Sequence, residues 1–232
     1  MQPKQTRTDF SHFFAIQNPT NDLAYTNIEV ETIRSFFSSN RVLVKQEATK
    51  AALDANLDLL SAHCNHFSCH GEFNLASPLE SALILANNER LSLGEIFELN
   101  LNQCRLVTLS ACETGLTDPT SLSDEYIGLP SGFIYAGSPN VVSSLWTVSD
   151  LSTAFLMIKF YQNLQTGMSV AVALNQAQFW VRNITGTQLW QWIQETQLPL
   201  SPTQKIHFRR IAANIKLFQD PFHWAPFCAI GV

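Results

Sequence analysis

Two residues of this sequence have the types and settings that nucleophilic catalysis needs. Cys112 sits in LSACETG, where an apolar run turns into a polar loop. His70 sits in HFSCHG, at the end of another apolar run. A free thiol has a pKa of ~8.5 and is only a few per cent thiolate at neutral pH. A neighbouring imidazole can take its proton and later return one to a leaving amine. Gly71 leaves room for a substrate backbone beside His70. The N–H groups of Gly71 and Cys112 are candidates for an oxyanion hole, in which one donor typically contributes ~3 kcal/mol.

These roles require the two runs to be neighbouring strands that end on the same side. Residues 12–17, 41–46, 63–69, 104–111, 140–146 and 224–231 read as six short strands. Between them, residues 27–37, 49–62, 127–135, 150–167, 169–183, 187–196 and 203–218 read as helices. Ser92-Leu93-Gly94-Glu95 is a capping-box pattern that opens a short helix through Leu99. Alternation of this kind predicts an α/β fold, a mostly parallel sheet covered on both faces. Sites in such sheets lie just beyond the carboxyl ends of the strands. His70, Cys112 and the segment Trp146–Asp150 all fall there.

Composition narrows the function classes. The 232 residues suit one domain, and 46% are apolar, enough for a sizeable core. Only 14% are charged, with Asn and Gln supplying 31 residues of the polar surface. So little charge leads us to expect that part of the surface is covered by something outside this chain. The net charge of −5 and the lack of a basic cluster argue against nucleic-acid binding. No apolar run is long enough to cross a membrane, and residues 1–9 are polar with no signal-type core after them. Five cysteines in a chain read this way predict free thiols and a cytoplasmic location.

Plainer readings compete. A cysteine at a strand end is most often a small buried hydrophobe. Cys64, Cys104 and Cys228 are expected to be packing residues. His63, Cys64, His66, Cys69 and His70 form a cluster that invites a zinc reading. Along one extended strand, however, such ligands spread too far to close a tetrahedron, and paired CxxC knuckles are missing. No metal or cofactor is expected, calcium included. A nucleotide-binding module is disfavoured because neither G-x-G-x-x-G nor G-x-x-x-x-G-K-[ST] occurs.

HFSCHG followed by LSACETG resembles the CHAT domain, a caspase-like cysteine peptidase family related to separase. The segments NPTNDLAYTNIEVETI, SDEYIGLPSGFIYAGSPNVVSSLWTVSD and DPFHWAPFCAIG are similar to its opening, middle and closing segments. The resemblance spans residues 13–232, with residues 1–12 as a tail. It implies a caspase-like α/β/α sandwich with a six-stranded sheet, a cysteine endopeptidase activity on protein substrates, His70 as base and Cys112 as nucleophile. It places Asp124 and Glu125 in an acidic segment near the substrate pocket, where acidic residues often select a basic or extended side chain. It also makes Ser144, Trp146 and Asp150 substrate-contacting residues. Ser131-Gly132 departs from the family pattern after GLP, which puts pocket shape in question, and a helical Gly costs ~1 kcal/mol relative to Ala. The family's preceding pseudo-symmetric subdomain and its helical repeats have no counterpart in the sequence. A missing subdomain, a repeat domain or an activating partner is therefore expected to complete the protein. The alternative is a catalytically silent interaction module.

Overall fold

The computed structural model describes residues 10–55, 57–74, 76–110 and 128–231. In chain order the elements are β1 (His12–Gln17), α1 (Thr26–Arg34), β2 (Ser39–Val44), α2 (Lys50–Asp54), α3 (Leu57–Ser61), β3 (Cys64–Ser68), β4 (Gly71–Glu72), β5 (Ala82–Ile84), β6 (Arg90–Ser92), α4 (Leu93–Phe97), β7 (Leu106–Leu109), α5 (Leu129–Tyr135), β8 (Asn140–Ser144), α6 (Asp150–Gln165), α7 (Val170–Asn183), α8 (Gly186–Thr196), α9 (Pro202–Arg209) and β9 (Phe227–Gly231).

Six strands form one sheet in the order β2-β1-β3-β7-β8-β9. The first five are parallel and β9 pairs antiparallel with β8. These are the six strands that the apolar runs predict. Side chains alternate between two cores, as a period of two requires. Phe13, Ala15 and Cys64 join one core, under α1, α6 and α7. Phe14, Ile16 and Phe67 join the other, under α3, α4 and α5. The molecule is thus a three-layer α/β/α sandwich.

Three local departures from the expected elements have physical causes. The helix expected over residues 49–62 is two short helices. Thr49 caps the first by accepting from the Ala52 N–H at 3.1 Å, and that helix ends at Asp54, a poor helix former. The helix expected over residues 203–218 stops at Arg209. Beyond it, the carbonyls of Ala213 and Ile215 accept from Thr187 and Gly186 at the start of α8. Gly186 permits this approach, since a Cβ there would meet the Ala212 carbonyl oxygen at 2.5 Å. Finally, β4, β5 and β6 form a small antiparallel sheet that the sequence reading omits. Each is two or three residues long, too short for alternation to show.

The unusual Ser131-Gly132 pair also finds its reason. The Ser131 hydroxyl donates to the Gly128 carbonyl and accepts from the Gly128 N–H, closing the first turn of α5. A Cβ on Gly132 would lie 2.4 Å from Leu93 Cδ1, so glycine sets the close approach of α5 to α4.

Candidate active site

The two strands that carry the chemistry are sheet neighbours. β3 and β7 run parallel in register, with Cys64 opposite Leu106 and Phe67 opposite Leu109. Their carboxyl ends therefore open at the same edge. His70 follows β3 by two residues, and Ser110 follows β7 directly. Cys112, Asp124 and Glu125 lie outside the described residues.

His70 faces solvent, with 37% of its side chain exposed. Its Nε2 lies 3.0 and 3.1 Å from the two carboxylate oxygens of Asp22. Asp22 belongs to the loop after β1, the other neighbour of β3. That loop is braced by Asn18, whose side-chain oxygen accepts from the N–H groups of Asp22 and Leu23 and whose amide donates to the Leu23 carbonyl. Asn18 and Asn21 adopt positive φ, which asparagine tolerates better than most residues. The Thr20 hydroxyl, and then His70 itself, hold the Asp22 carboxyl below its usual pKa, so it is ionised at neutral pH. An ionised acceptor on Nε2 keeps the proton there and leaves Nδ1 as the basic nitrogen. Sequence reasoning missed Asp22. The available signal was its place in the turn-rich NPTND run after a strand end.

Gly71 opens β4. The Ile84 N–H donates to the His70 carbonyl at 2.9 Å, which makes His70 and Ile84 a hydrogen-bonded pair. Gly71 and Leu83, the next pair, are then of the non-hydrogen-bonded kind, and the Gly71 N–H points away from β5.

Asp150 stands at the first position of α6 and is half-buried. Its Oδ2 accepts from the Tyr25 N–H at 2.9 Å, tying α6 to the loop that carries Asp22. Burial, with the charge of Glu29 adding to it, raises the Asp150 pKa above its ordinary value. Ser144 is fully buried in β8, opposite Phe227 of β9. Trp146, two residues on, is 38% exposed.

A narrow cleft of about 40 Å³ runs beside His70. Glu29, Ser68, Ser110, Asp150 and Thr153 contribute to its walls. Beneath it, His66 and Glu29 form a buried pair at 2.8 Å, with side chains 0% and 1% exposed. His66 Nδ1 also lies 3.4 Å from the Tyr161 hydroxyl, which in turn is 2.9 Å from Thr108 Oγ1. His66 is thus engaged in the core, while His70 is open to the cleft. The neighbouring thiols are quiet: burial pushes Cys69 up to about 12 and raises Cys64 and Cys104 as well. Cys228 is free and only half-buried, in β9 rather than fully in the core. Among the described residues no group of three His, Cys, Asp or Glu could hold a metal ion, and no helix is long and apolar enough to cross a membrane. A larger groove of about 800 Å³ lies between α6, α7 and α8, lined by Lys159, Trp180 and side-chain amides. Among the described residues no His, Cys or Ser lines it, so it offers no nucleophile or imidazole base.

The CHAT domain family model matches residues 2–232. The chain belongs to the CHAT domain family. Among solved structures, this CHAT domain is similar to separase in the Saccharomyces cerevisiae separase–securin complex, with a TM-score of 0.53 and 14% identity over 74% of this chain and 11% of that one. It is also similar to the pro- and mature domains of Porphyromonas gingivalis RgpB, with a TM-score of 0.52 and 10% identity over 91% of this chain and 49% of that one. At these identities the likeness is one of fold, which is caspase-like. The chain spans less than half the length of either protein. No curated protein matches it in sequence.

Proposed function

We propose that this CHAT domain is a cysteine endopeptidase working through His70 and Cys112. The observation that carries the reading is His70 itself: exposed at the carboxyl end of β3, next to the end of β7, and held by Asp22 through Nε2. In this reading Nδ1 of His70 takes the proton of the Cys112 thiol, and the thiolate attacks the scissile carbonyl carbon. The Gly71 and Cys112 N–H groups receive the developing oxyanion. The tetrahedral intermediate collapses with expulsion of the amine, which takes the proton from His70. Water, deprotonated by His70, then hydrolyses the thioester and regenerates the thiol. Asp22 is a positioning residue that fixes the imidazole and stabilises the imidazolium.

The substrate side chain next to the scissile bond would enter the cleft, with Asp150 on its wall, and the exposed segment through Trp146 would meet the substrate backbone beyond β8. Asp124 and Glu125 remain proposed contributors to the acidic rim, and Ser144 acts from behind by anchoring that segment. An activating partner or further domain remains part of the proposal, as does a cytoplasmic location. The test is peptide cleavage by wild type and by Cys112→Ala. Cleavage should vanish in the variant while its circular dichroism stays unchanged. A Cys112→Ala protein that cleaves as well as wild type would overturn the proposal.

A further inference from the structure

The net charge of −5 conceals a basic stretch. Residues 151–219 hold six cations, Lys159, Arg182, Lys205, Arg209, Arg210 and Lys216, against one carboxylate, Glu195. They are scattered along the sequence, so no run reveals them, but α6 to α9 and the segment after α9 pack around one core. The ion pairs among the described residues use Arg34, Lys50, Arg90, His66 and His70, and none of these six. The groove between α6, α7 and α8 concentrates the imbalance. Its volume of about 800 Å³ is that of a ligand pocket, typically ~300–1,000 Å³. Lys159 lines it, with its ammonium 5.7 Å from the centre of the Trp180 ring and burial holding its pKa below the ordinary value. A cation–π contact attracts an ammonium but leaves its charge unneutralised. Lys216 reaches the rim, where its Nζ donates to Oδ1 of the groove-lining Asn183 at 3.1 Å. The opposing charge, Glu195, has Oε1 engaged by Gln191 Nε2 at 2.7 Å. The Trp180 and Trp192 rings lie 4.6 Å apart, Trp192 is pinned by donating to Gln162 Oε1 at 3.1 Å, and Phe179 beside them is 67% exposed. The side-chain amides of Asn175 and Gln176 also line the groove, with no intramolecular partner among the described residues. A carboxamide sets one donor beside one acceptor, the match of a peptide unit.

We propose that this groove is a second binding site, which takes an extended acidic segment of a partner polypeptide. Carboxylates of the segment meet Lys159 and Lys216, an apolar side chain covers Phe179 and the Trp180–Trp192 pair, and the backbone bonds to the amides of Asn175 and Gln176. The lining shares no residue with the cleft beside His70, so the proposal stands whether or not the chain is a peptidase. Charge selects an acidic segment over a basic one. The carboxamides favour a polypeptide over a lipid surface or a nucleic acid, whose dense phosphates call for more cations than the two at this groove. A segment that brings carboxylates also neutralises Lys159 where water is scarce, and there a charge-assisted bond is strongest.

Binding is measured on the full chain carrying Cys112→Ala, which bars turnover. The probes are a short labelled peptide of alternating Glu and Leu, acetylated and amidated at its ends, and its counterpart with Gln in place of Glu, titrated at neutral pH by fluorescence anisotropy. The acidic peptide should bind at least about tenfold tighter than the Gln peptide, and the difference should shrink in high salt. Lys159→Met keeps the stem against Trp180 and removes the charge; it should weaken the acidic peptide about fivefold and leave the Gln peptide nearly unchanged. Phe179→Ala should weaken both peptides severalfold, and Lys216→Gln should weaken the acidic one about two- to threefold. These last two changes fall on exposed side chains, so lost binding there is not lost folding. Equal affinity for the two peptides, no binding of either, or unaltered affinity in folded Lys159→Met and Phe179→Ala proteins would each overturn the proposal. So would tighter binding of phosphatidylserine vesicles or of oligouridylate that depends on Lys159, since the groove would then serve a membrane or a nucleic acid.

Discussion

Replacing His66 by leucine should unfold this domain at a markedly lower temperature, although the proposed mechanism gives His66 no catalytic role. His66 and Glu29 are 0% and 1% exposed and 2.8 Å apart. Leucine approximates the volume of histidine, so the loss is mainly the partner and not a cavity. It strands a carboxyl in the core with only the Ser68 hydroxyl at 3.5 Å. Breaking a buried pair from one side costs about 3–5 kcal/mol. For a domain of this size each kcal/mol moves Tm by ~2–4 °C, so the fall should be about 6–20 °C. Removing both partners is a different matter, because apolar replacement of a buried pair is often neutral. His66→Leu combined with Glu29→Met should recover at least half of the loss. Thermal unfolding followed by circular dichroism measures all three proteins. A single variant that loses less than about 3 °C, or a double variant no more stable than the single, would refute the account of the buried pair.

Other outcomes follow from the same geometry. Asp22→Asn should lower kcat about two- to tenfold with KM nearly unchanged, the modest size reflecting an exposed pair worth ~0.2–1 kcal/mol plus loss of imidazole orientation; an unchanged kcat argues against a positioning role. The raised pKa of Asp150 means that the folded protein holds its proton to a higher pH than the ordinary 3.8. Cleavage of basic substrates should therefore decline, through KM, as pH falls through that raised value. By linkage, the folded state binds more protons than the unfolded chain in that window, so stability falls as pH rises through it. Asp150→Asn should accordingly keep or raise Tm while impairing basic-substrate cleavage, and pH-dependent unfolding checks the sign. Gly132→Ala should destabilise the domain by about 1–3 kcal/mol, because the clash with Leu93 exceeds the helix-propensity gain; denaturant unfolding measures it.

Much of this arrangement is legible because the central strands are short runs of mostly apolar or small residues, buried on both faces. Residues of β1, β3, β7 and β8 form short continuous runs, and their ends located His70 and the approach to Cys112. Pairing was the harder part. His66 shares a strand face with Cys64, and its partner lies 37 residues away in α1. Glu29 is flanked by Ile28 and Val30 and looks like a solvated helix position until the tertiary packing buries it. Asp22 was hidden for a related reason: loop residues acquire a role only when the sheet order brings β1 beside β3. The sequence reading treated Gly132 as a weakness in α5. It is a packing requirement that only the facing Leu93 reveals.

The central claim is that His70 activates Cys112. The direct measurement is the pH dependence of alkylation at each thiol, read by mass spectrometry in wild type and in His70→Ala. Cys64, Cys69 and Cys104 should react slowly in both proteins, because burial keeps them protonated. The account predicts that Cys112 reacts fastest in wild type, with a thiol pKa below the ordinary ~8.5 that returns to it in His70→Ala. A Cys112 rate that is unperturbed and indifferent to His70 would contradict it and favour an interaction module.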